Sequence, residues 1–132
     1  MTGDDEGSAI VEFVTIAVLL MVPLVYVLLT VFAVQRAAFA VSAAAREAGR
    51  AYVTSDTGAT ADERAQTAAD LALDDQLPGA PHADLTVDAN GLTPGEAVVV
   101  TVTYRVRLPL SGGLATLPVT ATHVATVDRY RR

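Results

Sequence analysis

The chain has 132 residues, which allows one modest domain beside a membrane segment. It has no cysteine, so disulfides and Cys-ligated zinc or iron–sulfur centres are excluded. A net charge of -6 argues against a nucleic-acid surface, which needs clustered positive charge; Arg129, Arg131 and Arg132 read as a solvated tail.

The leader, residues 1–7, carries Asp4, Asp5 and Glu6 and no basic side chain. Residues 13–34 contain no charge, and Leu, Val, Ile, Met and Phe dominate them. About 20 helical residues, rising about 1.5 Å each, cross a hydrocarbon core about 30 Å thick. A cleaved secretory signal needs a basic start and an apolar stretch of roughly 7–15 residues. Neither is present. The expectation is a retained transmembrane helix over 8–34, the bland alternative being a buried helix of a soluble core. Pro23 removes one backbone hydrogen bond and predicts a kink.

Glu12 stands at the lip of the apolar run, in Gly7-Ser8-Ala9-Ile10-Val11-Glu12-Phe13. A carboxylate beside hydrocarbon either pairs with a cation or snorkels to headgroup water. The residues alone leave both open. Past the span the helix is expected to continue over 35–53. Val34, Ala38, Val41, Ala45, Ala48 and Tyr52 recur on one face, opposite Arg36, Arg46 and Arg50. This stripe suits an assembly surface or a cover for the chain's own sheet, and turn-forming residues end the helix over 54–58.

The Gly-Ser-Ala-x-Val-Glu-Phe start, Pro23, and Ala44-Ala45-Arg46-Glu47 followed by Arg50 together resemble the TadE-like family. These are minor pilin-like proteins of the tight-adherence (Flp-type) pilus and secretion system. The likeness covers residues 7–52. It implies that a prepilin-type peptidase cuts between Gly7 and Ser8 and leaves the apolar helix attached. Ser8 then bears the free amine, and Glu12 is the fifth mature residue. The Glu12 carboxylate of one subunit would neutralise the Ser8 amine of its neighbour, fixing register during assembly. The implied partners are the lipid bilayer, other pilin-like subunits, the assembly platform and the peptidase. Orientation is contested. Arg36, Arg46 and Arg50 follow the span and nothing basic precedes it, so a positive-inside count puts the C-terminal part in the cytoplasm. The resemblance implies an extracytoplasmic domain on a single-pass protein of the cell membrane, at the cell surface or in a pilus.

The small domain is expected over 59–132. Thr60-Ala61-Asp62-Glu63 has capping-box spacing and predicts a second helix from Thr60. Its apolar face is Ala61, Ala65, Ala68, Ala69, Ala72 and Leu73, and it ends before Pro78. A short strand is predicted over 85–89 and a long one over 96–108. In the long strand Val98, Val100, Val102, Tyr104, Val106 and Leu108 alternate with Thr101, Thr103, Arg105 and Arg107. A loop is expected over 109–118. The third strand is placed at 119–130, with Val119, Ala121, Ala125 and Val127 inward.

Residue chemistry points to no catalytic, cofactor or metal site. His82 and His123 lack metal-ligand spacing, and His123 falls on the inward strand face as a core or edge histidine. Asp84 and Asp88, with Asp74-Asp75 upstream, do not form a calcium loop pattern. Ser111-Gly112-Gly113 lacks the lysine of a phosphate loop. The expected fold is α+β: a long N-terminal transmembrane helix continuing into a domain with a second helix on a three-stranded, mostly antiparallel sheet. The expected function is a non-enzymatic, membrane-anchored pilin-like structural subunit that binds no nucleic acid and assembles through its N-terminal helix. A single-pass, membrane-tethered binding module for an envelope partner is the alternative.

Overall fold

The computed structural model describes residues 4–109 and 115–128. The first three leader residues, the Ser111-Gly112-Gly113 loop and the C-terminal arginines lie outside them. The fold is α+β, with a long apolar helix, a second helix and a three-stranded antiparallel sheet.

Helix α1 (Asp4–Val53) runs for 50 residues, about 75 Å at about 1.5 Å per residue, and continues through Pro23. Its two halves live in different surroundings. In the N-terminal half the large apolar side chains are bare: Phe13 and Leu19 are each 73% exposed. The most apolar stretch buries nothing against the rest of the chain, and by length and composition it is able to cross a membrane. In the C-terminal half Ala37, Ala40, Val41, Ala44, Ala45, Ala48 and Tyr52 are buried. Of the predicted stripe, Val34 and Ala38 are only half-buried, whereas Ala37, Ala40 and Ala44 join it. The buried stripe is wider than one helical face requires because α1 is covered on two sides, by the sheet and by α2.

Helix α2 (Gly58–Gln76) buries Ala61, Ala65, Ala69 and Leu73 at successive i, i+4 positions. These small side chains let it lie close against α1. Its start differs from the sequence expectation. Thr57, not Thr60, is the N-cap: the Thr60 N–H reaches Thr57 Oγ1 at 3.4 Å, and the Thr57 N–H reaches Thr60 Oγ1 at 3.3 Å. Thr57-x-x-Thr60 thus forms the reciprocal capping pair, with a hydroxyl where a glutamate carboxylate more often stands. The earlier start adds most of a helical turn and moves Glu63 beyond capping reach. At the other end the N–H of Leu77 bonds to Leu73 O at 2.8 Å, just before Pro78.

The sheet is a meander in the order β1-β2-β3, formed by β1 (Asp84–Asp88), β2 (Ala97–Arg107) and β3 (Thr116–Thr126). Both pairings are antiparallel, with Leu85 opposite Val102 and Val102 opposite Ala121. Val98, Val100, Val102 and Val106 of the central strand are buried. Each contributes roughly 1.5–3 kcal/mol by leaving water. The alternate positions Thr101 and Thr103 face outward and meet Thr122 and Thr120, hydroxyl to hydroxyl, at 3.2 and 3.0 Å.

Strand β3 begins at Thr116, three residues before the predicted start, and so contains Pro118. The ladder explains why a proline is tolerated. Leu108 with Ala115, and Glu96 with Val127, are hydrogen-bonded pairs, so the Arg105–Pro118 pair falls on a non-bonded rung. The proline nitrogen therefore points off the open edge, where no donor is needed. The strand ends at Thr126, short of its predicted extension, although Val127 still donates to Glu96 O at 2.9 Å; residues 129 and 130 of that extension lie outside the described residues.

Candidate functional site

The sequence-derived site residues lie at the free end of α1. Gly7 and Ser8 fall in its first turns, and both are exposed, as is Glu12. A Cβ placed on Gly7 would meet nothing within 4 Å, so its lack of a side chain answers no packing need among the described residues. Ser8 and Glu12 stand four residues apart on one helix face, about 6 Å along the axis. Neither side chain has a hydrogen-bond or ion-pair partner among the described residues. The arrangement leaves the Glu12 carboxylate without a partner among the described residues, at the margin of a bare apolar cylinder.

The two threonine hydroxyls of that cylinder are satisfied internally. Thr15 Oγ1 donates to Val11 O at 2.7 Å, and Thr30 Oγ1 donates to Tyr26 O at 2.8 Å. Such back-bonding suits hydrocarbon surroundings, where an unmade hydrogen bond is costly. Pro23 works the other way, since its missing N–H takes the usual donor from the Leu19 carbonyl.

The motif Ala44-Ala45-Arg46-Glu47-Ala48-Gly49-Arg50 has a packing reading. Ala44, Ala45, Ala48 and Gly49 are buried, whereas Arg46, Glu47 and Arg50 are exposed. Its small residues seat α1 on the sheet and against α2. The motif therefore positions the domain relative to the apolar helix and carries no reactive group.

One polar cluster escaped the sequence reading. Asp70 Oδ2 lies 2.8 Å from His82 Nδ1, while Asp70 Oδ1 accepts the Ala83 N–H at 2.8 Å and Gln66 Nε2 at 3.0 Å. Gln66 Nε2 also donates to Ala83 O at 3.0 Å. Burial alone would raise the Asp70 carboxyl, but the bonds from Ala83, His82 and Gln66 outweigh it and hold the group below its ordinary value. His82 itself is 93% exposed. With both carboxylate oxygens engaged, the cluster acts as a tether between α2 and the segment leading into β1. His82 lies twelve positions beyond Asp70, across the Pro78–Pro81 turn, so no periodic signal in the sequence could have paired them.

His123 faces inward on β3, as expected, and Asp84 and Asp88 are exposed at the ends of β1. Among the described residues no group of three or more His, Asp or Glu could hold a metal ion. Asp74 Oδ1 accepts the Gly79 N–H at 2.8 Å, and Asp75 Oδ2 accepts from Gln76 at 3.1 Å. At the end of the domain nearest the apolar segment, Arg36 Nε donates to Gln76 O at 3.0 Å, tying α1 to the C-terminus of α2. Beside it runs a groove of about 560 Å³ whose walls include Ala33, Arg36, Arg105, Arg107 and Thr116. No family model, curated protein or solved structure matches the chain.

Proposed function

We propose that the protein is a membrane-anchored, pilin-like structural subunit of a tight-adherence type pilus or secretion machine. In this reading residues 8–34 span the bilayer, the domain stands outside the cytoplasm, and assembly proceeds through the N-terminal helix. The observation that carries it is the pairing of a bare apolar helix with a Glu12 at its margin that has no partner among the described residues. A carboxylate in that position is costly unless something supplies a cation, and the described part of the chain offers none. The Ser8 amine of a neighbouring subunit, freed by cleavage after Gly7, would supply it.

Co-purification tests the proposal. Tagged full-length protein from native membranes is expected to retain pilin-like subunits under mild detergent, and to stay with the membrane through a carbonate wash. A protein retained in membranes but free of such subunits would favour the tethered binding module instead.

A further inference from the structure

We infer that Arg36, Arg105 and Arg107 form a membrane-proximal rim that binds the phosphates of anionic phospholipid headgroups and docks the domain on the bilayer surface. The inference rests on the transmembrane reading of residues 8–34 but not on which side the domain occupies. Three observations support it.

Position comes first. Arg36 lies two residues beyond the apolar run, about 3 Å along the axis. The headgroup layer is roughly 5–7 Å deep on each side of the hydrocarbon. Ala33 lines the same groove as Arg105 and Arg107, so the end of β2 sits level with the end of the span.

Charge comes second. The chain is acidic overall, yet among the described residues no carboxylate lines this groove. Among the described residues none of the three guanidiniums has an ion-pair partner. The nearby acids are turned to other tasks: Asp74 receives the Gly79 N–H and Asp75 receives Gln76. Asp84 stands diagonally across the strands from Arg105, outside ion-pair distance.

Donor capacity comes third. Arg36 spends only its Nε–H, on Gln76 O, which leaves its four terminal N–H groups free. Arg105 and Arg107 are exposed at successive outward positions of β2. Arginine grips phosphate with two parallel hydrogen bonds, and unpaired guanidiniums beside a membrane find that partner in anionic lipid.

The absence of native cysteine allows a single spin label at T116C, beside the groove. The full chain is reconstituted in vesicles of phosphatidylcholine, with and without phosphatidylglycerol, and washed with carbonate. Collision of the label with oxygen and with an aqueous nickel chelate is then compared. Phosphatidylglycerol is expected to raise oxygen access and lower nickel access. Arg105→Gln with Arg107→Gln leaves the Arg36–Gln76 bond in place. It should lower the docked-to-free ratio about 25-fold, at about fivefold per arginine. Carbonate-resistant protein that ignores the lipid, or a double variant that docks like wild type, would overturn the inference and leave the anchor standing. Loss of the chain to carbonate would overturn both. Equal shifts from inorganic phosphate in phosphatidylcholine vesicles would make the rim a free-anion site and overturn the lipid assignment.

Discussion

A Cβ on Gly49 of α1 would lie 3.1 Å from Cδ2 of His123 on β3 and 3.3 Å from Cβ of Ala125. The helix approaches the sheet this closely because position 49 carries no side chain. Two effects compete in Gly49→Ala. Helix propensity favours alanine by about 1 kcal/mol, whereas overpacking a filled interface costs about 1–3 kcal/mol. The His123 ring edge can give way, but Ala125 Cβ is fixed to the strand, so overpacking wins. Gly49→Ala should lower stability by about 1 kcal/mol, and adding His123→Ala should remove part of that penalty. Thermal unfolding of the full chain in detergent measures both. A raised midpoint for Gly49→Ala alone would refute the close-packing account.

The Asp70 tether has a pH signature. A carboxyl held below its unfolded value stabilises the fold above the unfolded pKa, and this contribution is lost as pH falls through the folded value. Wild type should therefore lose stability on acidification below about pH 4, the unfolded carboxyl value, and Asp70→Asn should lose less over that window. Asp70→Ala leaves the N–H of buried Ala83 unpaired. Its cost at neutral pH should be about 1–3 kcal/mol. Unfolding midpoints of the two variants across acid and neutral buffers check both statements.

Much of the fold could be read from local pattern, because the pattern was strong where burial was one-sided. The alternation of Val98, Val100 and Val102 with Thr101 and Thr103 placed β2 within a residue at each end. The i, i+4 alanines marked the buried face of α2 but not its partner, since that face lies against α1, which in turn lies on the sheet. Pattern failed where two solutions were locally equivalent. Thr57 and Thr60 offer the same hydroxyl, and the longer helix took the earlier cap. Pro118 broke the strand expectation because only the ladder parity shows which side its nitrogen faces. Contacts between distant residues, Asp70 with His82 and Arg36 with Gln76, leave no periodic trace at all. The proposed processing residues Gly7 and Ser8 and the proposed assembly residue Glu12 were legible only through the resemblance of their motif, since residue type alone left Glu12 open between pairing and snorkelling.

The reassigned cap of α2 is open to a direct comparison. Thr57→Ala removes the acceptor for the Thr60 N–H and should cost about 1 kcal/mol, within the usual range for a lost N-cap. Glu63→Ala should change stability by less than about 0.5 kcal/mol, the usual limit for a surface change. Unfolding of the two variants side by side decides between the caps. The reverse order would restore Thr60 as the helix start.

Cleavage between Gly7 and Ser8 is a separate expectation. Protein recovered from native membranes should have an intact mass short by residues 1–7, with Ser8 at its amino terminus. Substituting Gly7 tests the requirement cleanly, because a side chain there meets nothing in the folded chain. Gly7→Val should leave folding and insertion unchanged and block processing. Mature protein that still begins with the leader would remove the Ser8 amine from the assembly scheme.

Glu12 carries the proposed assembly mechanism. In a single chain its carboxylate has no partner among the described residues, and it sits where an ionised group beside hydrocarbon is costly. In the proposed assembly, the Ser8 amine of one subunit and the Glu12 carboxylate of another would occupy the same depth, and each would remove the other's burden. Glu12→Gln keeps the size and much of the hydrogen-bonding capacity but deletes the charge. The variant should therefore insert and fold like wild type, because Glu12 packs against nothing in the domain. Its co-assembly with pilin-like partners should fall by on the order of a hundredfold, the consequence of leaving an ammonium unpaired in a low-dielectric setting. Restoring charge with Glu12→Asp should recover only part of the effect, since the shorter side chain reaches less far. A carboxylate that merely snorkels to headgroup water predicts equal assembly for all three proteins. Quantitative co-purification at matched expression, with thermal unfolding as the control for folding, separates the two accounts. Glutamine protein that assembles at the wild-type level would decide for snorkelling.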